Sequence, residues 1–314
     1  MRAFPALAHI SFYNVIRQPF FALITVGSYL FILASPAFTM FTLMHAKKLI
    51  LDMGMATILL SELGVSVLGI FSIVGGEMEE KTSTLLLSKP VSRFTFLVSK
   101  IFAVAISLLF VLVPLIIILI MTLKMGVPEA AYSEVKYSIL WFEFLPLLVA
   151  VILAGGANYY ADKNFASAFV ISLNISLILS LLILYFVDKS ALQLNLFLPA
   201  AFLWMAGIVM APVASLFSLR GKLFFTLTFS FLIFMLGLTS DYLLGKFMHN
   251  PGVKIVYSLI PNFQVFWSEE TWLKGGSINL QYLLKALGYM FFYTLGMTFL
   301  GWSIWERKEV SGGR

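Results

Sequence analysis

GEMEEKTSTLLLSKPVSRFTFLVSK, residues 76–100, separates two long apolar runs and is the longest polar stretch in the first half of the chain. It shows little apolar periodicity up to Thr84, after which Leu85, Leu86 and Leu87 stand in a row. Pro90 disfavours a helical backbone at Lys89, so one helix should stop there and another start. Ser92 is placed as the N-cap of the apolar run that follows. The expected form is a helical hairpin against a membrane surface. It presents the acids Glu77, Glu79 and Glu80, then an apolar knuckle, then the basic Lys89 and Arg93.

The membrane follows from composition. Of 314 residues, 61% are hydrophobic and 11% charged, where soluble domains carry about 25% charged residues. Mean hydropathy is +0.97. With no cysteine there is no disulfide framework, thiolate metal site or cysteine nucleophile. His9, His45 and His249 are far apart and lack metal-ligand spacing. The net charge of +6 reads as basic residues facing the cytoplasmic side of a bilayer, not as a nucleic-acid footprint.

A spanning helix needs about 20 apolar residues. Eight runs qualify, near 20–44, 52–75, 101–123, 138–160, 165–187, 195–217, 223–245 and 282–305. The sixth carries Pro199 and Pro212 and the seventh Asp241; as a re-entrant pair they would leave six full spans. Residues 1–18 do not read as a cleaved signal. Phe4, Leu7, Ala8, Ser11, Phe12 and Val15 share one helical face, as in an amphipathic helix at the interface. The segment 246–281 is semi-apolar and broken, and should form re-entrant or interfacial helices capping the bundle. The fold class is therefore an all-α polytopic membrane protein, one transmembrane domain over 1–314.

Basic residues set the orientation. With the N-terminus inside, the inner segments hold every arginine (Arg2, Arg17, Arg93, Arg220, Arg307 and Arg314), together with Lys81, Lys89, Lys100, Lys163, Lys222 and Lys308. The remaining basic residues are all lysines. This puts both termini and the 76–100 hairpin in the cytoplasm.

Few groups could carry chemistry. A phosphate-cradling G-x-x-x-x-G-K-[ST] loop is absent, and the nearest candidate, Lys81-Thr82, follows two carboxylates that would repel phosphate. There is no H-E-x-x-H and no paired nucleophile and base, so no catalytic residue, metal site or cofactor is assigned. Intramembrane acids suggest function by default. Glu62 lies mid-span, either facing a pathway or dimer seam or serving as a structural acid bonded to Ser61 or Ser66. Glu143 and Asp241 are nearer the outer interface and are expected to be solvated. Ser172, Ser176 and Ser180 recur every fourth residue and form one stripe, a packing seam or a pathway lining.

The hairpin resembles the cytoplasmic loop of type-2 ABC exporter permeases, whose pattern runs close to E-R-E-x-G-T-x-x-x-L-L-S-x-P-[VI]-S-R. Glu77, Glu79, Thr82, Leu86, Leu87, Ser88, Pro90, Ser92 and Arg93 match without gaps, while Met78 and Lys81 depart from it. The closing WERKEV is similar to the charged tail of that family. The resemblance implies a permease subunit of an ABC transporter in the cytoplasmic membrane, exporting a substrate, with no catalysis of its own. ATP and Mg would bind a separate ATPase subunit. Glu77, Glu79, Glu80, Thr82, Leu85, Leu86, Leu87, Pro90 and Arg93 would dock that ATPase. A second permease subunit would pair with this one, placing Glu62 and the serine stripe near the pathway or dimer seam. The alternative is a non-transporting anchor or sensor subunit of an ABC-like complex.

Overall fold

The computed structural model describes residues 3–39, 45–76, 92–126, 135–188, 192–219, 222–247, 249–268 and 278–312, with side chains as far as Glu306 in the last segment. Every regular element among them is helical. In chain order these are α1 (Ala3–Ile16), α2 (Pro19–Phe38), α3 (Ala46–Ile70), α4 (Arg93–Met125), α5 (Ile139–Ala161), α6 (Phe165–Val187), α7 (Phe197–Ser218), α8 (Leu223–Leu244), α9 (Pro251–Leu259) and α10 (Leu280–Gly312). A π-helical turn, Phe71–Gly75, prolongs α3. Eight helices are long and apolar enough to cross a membrane. The sixth and seventh expected spans are full-length helices and not a re-entrant pair.

The bundle has a distinct interior. Of the apolar windows of α3, α4 and α7, 72%, 72% and 78% of residues are buried, against 22–39% in the other five spans. These three helices pack on one another, with α1 and α2 covering α3 and α4, the α5–α6 hairpin against α4, and α8 and α10 flanking α7. Burial of this kind follows from shape. Lipid is as apolar as leucine, so the helices that meet are those whose surfaces interlock. Gly54 lies against Leu119 of α4, and Gly207 of α7 lies against Leu108 and Glu62. At each, the missing Cβ lets two backbones approach.

The apolar face expected on α1 is the buried one. Ala8, Ser11 and Val15 are shielded, and Phe4 and Phe12 pack on Phe102 and Phe110 of α4 with ring centroids 5.6 and 5.3 Å apart. Val15 also meets Val104 of α4 around Gly69 of α3, so α1 is packed on both helices. At the far end of the bundle, Lys136 and Lys124 both reach the Asp188 carboxylate, at 2.9 and 3.4 Å. This ion cluster ties the end of α4, the approach to α5 and the end of α6 together.

Part of the stretch after α8 packs against the bundle. Phe263 and Phe266 are buried, and Phe263 meets Phe234 of α8 edge-on at 5.3 Å. Three tyrosines of α10 secure its polar backbone. Tyr293 donates to the Leu259 carbonyl at 2.7 Å, Tyr282 donates to that of Val265 at 2.6 Å, and the Tyr289 oxygen accepts from the Asn262 N–H at 2.8 Å. Tyr293 lies about 20 Å along α10 from Leu280, at about 1.5 Å per residue. The described part of the segment is clamped by protein.

Candidate functional site

The segment with the family-like pattern joins α3 to α4, two of the three innermost helices. Glu77, Glu79, Glu80, Thr82, Leu85, Leu86, Leu87 and Pro90 lie outside the described residues; both shoulders are described. On one side the π turn ends α3, with Gly75 carrying the Phe71 ring where a Cβ would sit 2.7 Å from it. On the other, Ser92 caps α4 as expected, its Oγ accepting from the Thr95 N–H at 3.1 Å. The Arg93 guanidinium lies 5.7 Å from the centre of the Trp305 ring, and Phe94 and Phe96 pack on Trp302 and Trp305 of α10. Val15 of α1 reaches the other shoulder at Gly69. The two described shoulders therefore belong to the bundle core and are braced by the first and last helices.

Glu62 sits at the centre of the interior, fully buried. Neither of its carboxyl oxygens has a hydrogen-bond partner among the described residues. The two serines expected to serve it are engaged elsewhere. Ser66 donates to the Gly207 carbonyl at 2.7 Å, and Ser61 reaches Ser28 and the Thr57 carbonyl, each at 2.6 Å. Glu62 faces α7, while Leu60, about 200° away around a 3.6-residue helix, is 59% exposed. The open face of α3 is therefore the Leu60 face. It borders one groove of 740 Å³ toward α8, where Gln264 and Trp267 line it. It borders a second of 410 Å³ toward α2, lined by Ser28, Thr57 and Ser61.

The serine stripe closes the α5–α6 hairpin. Ser172, Ser176 and Ser180 donate to the carbonyls of Ala150, Pro146 and Phe142 of α5, at 3.2, 3.1 and 2.7 Å. Each step of four residues up α6 is a step of four down α5. Proline explains the last pair. Pro146 has no N–H, so the Phe142 carbonyl one turn earlier loses its intrahelical donor, and Ser180 replaces it. The same repair occurs on α4. Pro114 orphans the Phe110 carbonyl, and Asn174 of α6 donates to it at 3.0 Å. The stripe and Glu62 belong to different helix pairs and are not brought together.

The remaining acids divide. Glu143 is fully buried, contrary to the expectation of solvation. Its Oε1 accepts from Thr122 of α4 at 3.1 Å, and its backbone carbonyl accepts from the Tyr29 hydroxyl of α2. Position along α5 gave depth in the membrane but not the direction faced. Asp241 is exposed and binds the segment after α8. Its carboxylate accepts from the Tyr257 hydroxyl and, at 3.0 Å to each oxygen, from Asn262 Nδ2. That bond is the largest cause raising the Tyr257 pKa above the ordinary tyrosine value. Among the described residues, no three His, Cys, Asp or Glu side chains are grouped to hold a metal ion. No protein-family model, curated protein or solved structure matches the chain.

Proposed function

We propose that the chain is the permease subunit of an ABC exporter, working with a separate ATPase that binds ATP and Mg and with a second permease subunit in a cytoplasmic membrane. One observation carries the reading: the segment with the family-like pattern is continuous with α3 and α4, so a push on it acts directly on the bundle core. Leu85, Leu86 and Leu87 would bury in a groove of the ATPase, and the charges on either side would set orientation and reject wrong partners. The exporter's substrate would meet the open face of α3, at Thr57, Leu60 and Ser61, and not Glu62.

Co-purification tests this reading. The wild-type chain should bring down an ABC ATPase, and a Leu86→Asp, Leu87→Asp variant that still inserts should lose it. Equal recovery by both, or by neither, removes the basis of the proposal. The closed packing around Glu62 favours the second reading, a subunit that docks an ATPase without conducting. Under that reading ATPase binding persists, and blocking the open face of α3 with Leu60→Trp leaves activity in cells unchanged.

A further inference from the structure

A cavity of 570 Å³ opens between the end of α1 and the α5–α6 turn. Ligand pockets run to about 300–1,000 Å³, so its volume suits a headgroup and the start of its chains. Its polar lining comprises Arg17, Asp162 and Lys163, with Ser167 in the first turn of α6. Its apolar lining includes Leu153, Ile171 and Ile175, and Leu153 and Ile175 are each 55% exposed. Tracing alternate spans puts this cavity at the same end of the bundle as segment 77–91.

Three charged side chains line it, and none has an ion-pair or side-chain hydrogen-bond partner among the described residues. The turn that carries two of them is fixed. Asp162 closes α5 in the left-handed conformation at φ 48°, the Lys163 N–H donates to the Ala157 carbonyl at 3.2 Å, and Asn158 Nδ2 donates to the Lys163 carbonyl at 2.8 Å. Basic pockets between spanning helices attract lipid phosphates, and the N-terminus of α6 adds positive potential. A headgroup with negative charge alone would be repelled by Asp162. The matching ligand has a phosphate and, a few bonds away, an ammonium that can donate hydrogen bonds.

We propose that this cavity is a binding site for an aminophospholipid, with the phosphate between Arg17 and Lys163, the amine on Asp162 and an acyl chain along Leu153, Ile171 and Ile175. The site does not depend on the permease reading.

Native mass spectrometry of the full chain in detergent tests it, using added phosphatidylethanolamine, phosphatidylglycerol and glycerophosphoethanolamine. The wild type should retain one phosphatidylethanolamine about tenfold more strongly than phosphatidylglycerol. Arg17→Ala with Lys163→Ala should lose both, and Asp162→Asn should abolish the preference. The chain-free glycerophosphoethanolamine should not compete at equal concentration; if it does, the ligand is a soluble phosphoamine and the lipid assignment falls. Unaltered retention in the Arg17, Lys163 variant, or an unaltered preference in Asp162→Asn, also overturns the site. Ile175→Trp fills the groove without touching a charge and should cut retention about tenfold. Full retention there is a further refutation, available even if the charge variants do not insert.

Discussion

Pro146 and Pro114 each remove an N–H from the interior of a spanning helix, and a single polar side chain of α6 answers each loss. This makes a sharp energetic prediction. Ser180→Ala should destabilise the protein by about 1 kcal/mol, the usual net worth of a hydrogen bond. In a Pro146→Ala background the cost should fall close to zero, because residue 146 then donates to the Phe142 carbonyl itself. Ser172→Ala should cost less, since that hydroxyl is also within reach of the Ala168 carbonyl at 2.7 Å and the Ala150 carbonyl has an ordinary intrahelical donor. Unfolding in mixed micelles, run as a double-mutant cycle, measures all of these. The recurrence of three serines at helical spacing was legible in the sequence; the carbonyls they serve were not. A proline shows which carbonyl is orphaned, but only packing shows which side chain arrives. The same gap explains Glu143, where sequence supplies depth and the helix's rotation decides burial.

Among the elements, the stretch after α8 depends on close approach and on one acid. A Cβ on Gly237 would lie 2.3 Å from the Pro261 carbonyl oxygen. Gly237→Ala should therefore lift the segment off α8. The chain has no cysteine of its own, so a Val265→Cys reporter reads this without background. Its labelling by a maleimide should accelerate several-fold in the Gly237→Ala protein. The Tyr257–Asp241 bond gives a pH dependence with a definite sign. Its pKa is raised in the folded protein, so its contribution is fully present below the ordinary tyrosine value of about 10. It is lost as pH rises through the higher folded value. Tyrosinate absorbance should accordingly develop at higher pH in the folded wild type than in unfolded chain, and Tyr257→Phe should reduce that late absorbance by one tyrosine's share. The eight spans were readable from hydropathy because length and apolarity are properties of one segment. The central place of α7 was not, because an apolar helix looks the same whether lipid or protein surrounds it. Its prolines made it look the weaker candidate, yet Pro199 falls in its first turn, where no intrahelical donor is lost.

For the whole molecule, the arrangement predicts a sidedness. With both termini inside, Ser258→Cys should react with an impermeant maleimide added to intact cells, and His9→Cys should react only after lysis. The reverse pattern inverts the orientation drawn from the arginines. Glu62→Gln tests the closed interior. It retains the shape beside Gly207 and removes the carboxylate, so assembly should be unchanged while any turnover that opens the α3–α7 seam should alter. A larger group is not accommodated: Gly207→Ala brings a methyl within 2.8 Å of Leu108 and 3.2 Å of Glu62, and should cost about 1–3 kcal/mol as overpacking does. The α5–α6 hairpin sets a different kind of limit. Its donors and acceptors repeat at the same interval, so the two helices mesh like racks with equal teeth. Sliding by one residue leaves every serine facing the wrong carbonyl, while sliding by four re-seats Ser172 on Pro146 and Ser176 on Phe142. Relative motion within that pair is thus allowed only in clicks of four residues, about 6 Å, and between clicks the hairpin travels as a single rod.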